Sequence, residues 1–315
     1  MTRRRLNKKA PQTGRNAAPF DRERSARRDM GRGVNLSLAR DVLRRIHRYL
    51  GPAGGCQTYV EHPAPCRQQS AVTVGVVIEH RFSFYYWIKC KHDLRKGRCA
   101  GERIPDREFI PPDLVTMDWH DDIGGHCDII EHELRRLDQS NDAEVGLFCW
   151  AGLRSLNDGH VFPAVWLNAI GDVYAIIKHR DCWENGERIV TDRYGKQHKI
   201  RYCRNPNGFL KARHKCDNPP GLIWDLDLDF FTESEEVPDR RYAPSLSDRA
   251  IARCLDAKQE WVQEILWNLE AITIALEPEY TGGLSQSLHL LRQWERAFLT
   301  KPLFDEHCSW RNILV

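Results

Sequence analysis

No stretch of the chain approaches the roughly 20 consecutive apolar residues that a membrane-crossing helix needs, which excludes a bundle of membrane-spanning helices. The opening residues, MTRRRLNKKAPQTGRN, lack the apolar core of a secretory signal, so export is not expected. No Cys-x-x-Cys pair occurs among the 11 cysteines, and their number is odd. In a 315-residue chain without an export signal this argues against a disulfide framework, and reduced thiols in a cytoplasm are expected. What is present reads as a soluble globular protein: 41% hydrophobic and 29% charged residues, a mean hydropathy of −0.58, and enough length to bury a sizeable core.

The net charge of +3 conceals an asymmetry. Residues 1–33 hold 11 Lys/Arg against 3 Asp/Glu, a net +8, whereas the remainder has 36 against 41, a net −5. Residues 1–34 contain few large apolar side chains to offset the entropy of ordering and are expected to form a disordered basic tail. Nucleic acid could be met only through this tail. Too few aromatics interleave its charges for a base-stacking platform, so a solubilising extension is the simpler reading.

Residues 35–315 are expected to form one domain. LSLARDVLRRIHRYL has helical spacing and stops at Gly51-Pro52, and a Gly/Pro/Cys-rich stretch follows to about Gln69. AVTVGVVIEH, DLVTMDWHDD, GLIWDLDLDFF and AITIAL read as buried strands. EHELRRL, HVFPAVWLNAI and the closing LSQSLHLLRQWERAFL read as helices, and residues 246–270 as one long amphipathic helix. Residues 184–203 read as a hairpin turning near Tyr194-Gly195-Lys196. Apolar strands alternating with helices predict an α/β three-layer sandwich around a mainly parallel sheet.

In such folds ligands gather at the carboxyl ends of the strands. Three strands here end in Glu79-His80, in Asp118-Trp119-His120-Asp121-Asp122 and in Asp225-Leu226-Asp227-Leu228-Asp229. In an extended chain, alternation places Asp118, His120 and Asp122 on one face, and Asp225, Asp227 and Asp229 likewise. Carboxylates so stacked repel one another and are costly to bury. Neither Asp-rich run contains Lys or Arg, so a divalent metal is the simplest compensation. Carboxylates with imidazoles and no thiolate suit Mn²⁺ best, with Fe²⁺, Co²⁺ or Zn²⁺ also possible. Six such ligands are too many for one catalytic ion, and two ions per chain is the natural count.

These residues resemble a known family. DWHDD matches the Asp-x-His-x-Asp motif of the arginase/ureohydrolase superfamily, and DLDLDFF is similar to its Asp-x-Asp strand end. The order of IEHRFSFYYW, DWHDD, LNDGHVFPAVWL, LDLDFF and EPEYTGG resembles the peptide arginases and their relatives in uncharacterised protein family 0489, over about Val72 to Leu299. The resemblance implies an arginase-like fold. It implies His80, Asp118, His120, Asp122, Asp227 and Asp229 as manganese ligands, with Asp118 bridging and Asp225 the rival within DLDLD. It also implies Glu279, with Glu277 as rival, as the acid gripping a substrate guanidinium. Asn157, Asp158 and His160 would face the substrate or stand behind the ligands, His160 alternatively capping a helix, while Asp122 would relay a proton.

The expected activity is hydrolysis of the guanidinium of arginine, in a peptide or in a small guanidino compound, to ornithine and urea. The alternatives are an amide hydrolase (deacetylase) of the same fold and a metal-binding regulatory protein without catalysis. The tail, the hairpin and the scattered Cys182, His198, Cys203, His214 and Cys216 depart from the family pattern. Those five residues read as free thiols and ordinary histidines rather than as a structural zinc site, because their spacings fit no standard knuckle.

Overall fold

A computed structural model describes residues 55–64, 67, 70–97, 104–124, 128–153, 159–178, 186–233, 244–300, 303 and 310–312. All of these fall in the unit Asn35–Val315. The basic tail, the helix expected at 36–50, Asn157, Asp158 and Cys182 lie outside the described residues.

The strands are β1 (Gly55–Glu61), β2 (Ala71–Val77), β3 (Asp113–Asp118), β4 (Val173–Ile177), β5 (Glu187–Thr191), β6 (Gln197–Cys203), β7 (Leu222–Asp227), β8 (Leu269–Ala275) and β9 (Arg311–Asn312). They form one sheet in the order β5-β6-β4-β3-β7-β8-β2-β1-β9. The six strands from β6 to β2 pair in parallel, and the pairings β5–β6, β1–β2 and β1–β9 are antiparallel.

Helices cover both faces. On one side α1 (Ser83–Gly97), α2 (Asp128–Arg136), α3 (Asp142–Ala151) and α4 (Val161–Trp166) pack over a core that includes Phe84, Trp87, Leu134, Phe148 and Val165. On the other side α5 (Pro206–Arg213), α6 (Asp248–Cys254), α7 (Glu260–Trp267) and α9 (Leu284–Phe298) bury Phe209, Ile251, Trp261, Trp294 and Phe298. The four-residue α8 (Pro278–Thr281) follows β8. This is the α/β three-layer sandwich around a mainly parallel sheet that the alternation of elements predicts. No helix among the described residues is long and apolar enough to cross a membrane.

One strand was not foreseen and two expectations need correction. The Gly/Pro/Cys-rich stretch contains strand β1, whose only fully inward side chains are Cys56 and Val60, too sparse a signal to separate it from a loop. The long helix at 246–270 is two helices. Ser247 caps the first by accepting from Ala250 N, and Asp256 then turns the chain by accepting from Lys258 N, which interrupts the helix before α7. Finally, β3 ends at Asp118 and β7 at Asp227, so His120, Asp122 and Asp229 lie in the turns beyond and not on the strand faces.

Candidate metal centre

In the central strands successive side chains enter opposite cores. Val115, Met117, Trp224, Leu226, Ile272 and Ile274 face one, and Leu114, Ile223 and Ala271 the other. On this second face a polar row crosses three strands, because Thr116 of β3 pairs in register with Asp225 of β7, and Asp225 with Thr273 of β8. One step nearer the carboxyl ends stand Asp118 and Asp227. The row extends to Gly75 of β2, where a Cβ would collide with the ring of Tyr86, so glycine lets α1 lie close against the sheet.

The chain beyond each strand completes the site. After β2 a single 3-10 turn, His80–Phe82, sets the His80 ring under the sheet edge. Backbone bonds from Leu276 N to Val77 O and from Glu277 N to Ile78 O continue the pairing of β8 with β2 past the strand ends. Glu277 then turns into the left-handed region at φ 40°, uncommon for a residue with a side chain, and its carboxylate accepts from the backbone N–H of His80.

His80 Nδ1 lies 2.6 Å from Asp122 Oδ2, 3.1 Å from Asp118 Oδ2 and 3.3 Å from Asp227 Oδ2. His120 Nδ1 lies 2.9 Å from Asp229 Oδ2 and 3.8 Å from Asp118 Oδ1. Two groups with metal-ligand chemistry result, His80/Asp118/Asp122/Asp227 and Asp118/His120/Asp229, sharing Asp118. A third, His80/Asp122/His160, overlaps the first. All six residues expected as ligands are therefore brought together, and all but His120 are buried.

Electrostatics tests whether these residues fit a cation. Burial, reinforced by the charge of Asp118, pushes the Asp122 carboxyl well above its ordinary range. Burial and the charges of Asp229 and Asp118 do the same to Asp227. Glu277 rises to about 8, chiefly through burial and against the His80 N–H bond. On His120 burial favours the neutral ring, but Asp229, Asp118 and Asp122 outweigh it and raise the imidazole to about 10. The metal-free cluster thus holds protons where carboxylates ordinarily have none. Oxygen and imidazole donors in excess of neutralising charge are what a pair of divalent ions requires.

The rival residues left open by the sequence occupy different surroundings. Asp225 joins none of the groups with metal-ligand chemistry among the described residues; it lies behind His80, with Oδ2 2.6 Å from Nε2. Of the two glutamates expected to face the substrate, Glu279 is exposed on α8, while Glu277, in the left-handed turn, is buried against the cluster. His160 stands at the start of α4 without making a side-chain cap. Its ring stacks on Trp87 at 5.3 Å and meets His80 edge-on at 4.4 Å, with Nδ1 3.9 Å from Asp122 Oδ2.

Sequence reasoning missed Thr116 and Thr273, although polar residues at alternate positions of otherwise apolar strands could have pointed to them, and it met Trp87 only as the last residue of IEHRFSFYYW. It also missed Lys178, whose ammonium lies 5.2 Å from the Trp119 ring and 4.8 Å from that of Phe230. Among the described residues, none of the groups able to hold a metal includes His198, Cys203, His214 or Cys216.

The arrangement defines a site of two carboxylate–imidazole groups joined through one shared aspartate. No family model matches the chain, and no curated protein does. Among solved structures it is similar to proclavaminate amidino hydrolase from Streptomyces clavuligerus, with a TM-score of 0.32 and 14% identity over 70% of this chain and 63% of that one. The match spans less than two thirds of that enzyme's length and is too shallow to carry a function across.

Proposed function

We propose that the protein is a binuclear metal-dependent hydrolase that cleaves the guanidinium of arginine, in a peptide, to ornithine and urea. The observation that carries the reading is the pair of donor groups meeting at Asp118. His80, Asp122 and Asp227 would hold one ion, His120 and Asp229 the other, and Asp118 both. Two divalent ions bound there, Mn²⁺ first among the candidates, supply Lewis acidity and activate water at neutral pH.

The chain's own residues supply the rest. A guanidinium entering beside two metal ions is repelled by them, and a fixed carboxylate must offset that repulsion. Glu277, turned inward and braced by the His80 N–H, is placed for this pairing, which suits carboxylate and guanidinium geometry. Hydrolysis adds water across the C–N bond and leaves an amine that needs a proton. Asp122, with His160 beside it, is the acid in position to carry one. A buried acid at the substrate position also argues against an acyl-lysine substrate, which is better served by an apolar pocket.

The test loads the purified full chain with MnCl₂, counts retained ions after dialysis at neutral pH, and assays urea from arginine, a small guanidine and arginine peptides beside acetate from acetyl-lysine peptides. About two ions per chain and urea from the peptides are expected. No retained ion, or acetate without urea, would overturn the reading.

A further inference from the structure

The polar row beneath the cluster has no part in holding ions or substrate, yet its members are joined. Asp225 is fully buried and both of its oxygens are engaged. Oδ2 meets His80 Nε2 at 2.6 Å and accepts from Thr116 Oγ1 at 2.8 Å, while Oδ1 accepts from Thr273 Oγ1 at 2.5 Å. Trp87 Nε1 donates to Thr273 Oγ1 at 3.1 Å, and the Trp87 ring is the one stacked on His160. One hydrogen-bonded chain, Trp87–Thr273–Asp225–Thr116, therefore touches two histidines of the cluster, His80 through Asp225 and His160 through the stacked Trp87 ring.

An imidazole offers two nitrogens, and only Nδ1 of His80 faces Asp118, Asp122 and Asp227. If the ring turned over about its Cβ–Cγ bond, that nitrogen would leave the acids. We propose that Asp225, clamped by Thr116 and Thr273, is a positioning residue: it holds the Nε2–H of His80 and so commits Nδ1 to the ion, while Trp87 carries the same constraint to His160. A carboxylate on the far nitrogen of a metal-binding histidine also raises its basicity, and losing such a partner typically weakens metal binding by about 10- to 100-fold. This inference rests on the metal reading above, which placed Asp225 outside the ion-holding groups.

The test uses the full chain with Asp225→Asn, Thr273→Val and Thr273→Ser, titrated with MnCl₂ by calorimetry, each variant checked for fold by circular dichroism. ¹⁵N-histidine NMR of the metal-free proteins follows the exchange-protected imidazole N–H that a buried Nε2–H···Asp225 bond produces. Asp225→Asn should weaken Mn²⁺ binding by about 10- to 100-fold and shift or broaden that signal. Thr273→Val should weaken binding by roughly three- to tenfold, and Thr273→Ser, which keeps the hydroxyl, should restore it. A merely structural role would lower stability without this split between valine and serine. A folded Asp225→Asn protein with wild-type Mn²⁺ affinity and an unchanged imidazole signal would overturn the proposal. If the wild type takes up no Mn²⁺, the metal reading fails instead, and the imidazole signal alone decides: its loss in Asp225→Asn supports the positioning role, and its persistence refutes it.

Discussion

Asp113 and Asp118 stand at the two ends of β3, both buried, and the protein treats them differently. At the amino end Arg213 Nη1 lies 2.5 Å from Asp113 Oδ2, and Asp172 N donates to Oδ1 at 2.9 Å. The acid is matched by a base from the same chain, and Arg213 is itself buried. At the carboxyl end Asp118 meets imidazoles and further acids: Asp122, Asp227 and Asp229 crowd the same few ångströms. Burial raises both carboxyls, Asp113 to about 7. The lesson is that burial alone does not distinguish a structural carboxylate from a functional one; the origin of the neutralising charge does. Asp113 needs nothing from outside, whereas the Asp118 cluster has acids in excess of the bases around it, a balance that a bound cation would redress.

The largest expected effect comes from removing the shared ligand. Asp118→Ala should lose at least one Mn²⁺ per chain by metal analysis and about a thousandfold in urea release, near 4 kcal/mol. Retention of both ions would place the bridge elsewhere. At the other end, Arg213→Ala leaves a buried acid without its base and should cost roughly 3–5 kcal/mol of stability in urea denaturation, while ion content per folded chain stays unchanged. If instead Arg213→Ala loses metal without losing stability, the contrast between the two ends collapses.

Between these lies Glu277→Gln, expected to keep both ions and lose about a hundredfold in urea release, near 3 kcal/mol. Protonation sharpens the comparison further. In the metal-free protein His120 stays charged up to about pH 10, and Asp122 and Asp227 hold protons above the usual carboxylate range. Loading an ion displaces these protons, so the loaded state binds fewer of them. Affinity must therefore rise with pH across the neutral range, about tenfold per pH unit for each proton released. Calorimetry in two buffers of different ionisation heat counts the protons; an affinity independent of pH would mean that the acids are not the ligands. The smallest effect belongs to Glu279→Gln, on an exposed acid: no change in ion content and less than about 0.5 kcal/mol in stability.

The sheet and the six candidate ligands were legible in the sequence because their signals are local. A β-branched run reads as a buried strand within a few residues, and acids clustered at its end are visible without knowing where the chain goes next. What was illegible depends on partners distant in sequence or on a single backbone angle. Asp225 differs from Asp227 only by what lies opposite, Thr116 and Thr273 on neighbouring strands, together with the His80 ring. Glu277 turns inward while Glu279 stays exposed, at a positive φ that no residue type there announces. Strand β1 was hidden because only two of its side chains are buried, and the break before α7 because one aspartate turns the chain within an otherwise helical pattern.

The extension of β8–β2 pairing past the strand ends has a kinetic consequence. It joins His80 to Glu277 across 197 residues, and the His80 ring meets Asp225 of β7 across 145. Contacts so remote in sequence are expected to form late, because the entropy of closing so long a loop is repaid only when many contacts form with it. Stopped-flow refolding should then show the cluster assembling late, its mutually repelling acids brought together only as β2, β7 and β8 join. An ion that enters such a site acts on the finished protein: it leaves the folding rate nearly untouched and slows unfolding, so the protein's lifetime, more than its rate of birth, would follow the supply of metal.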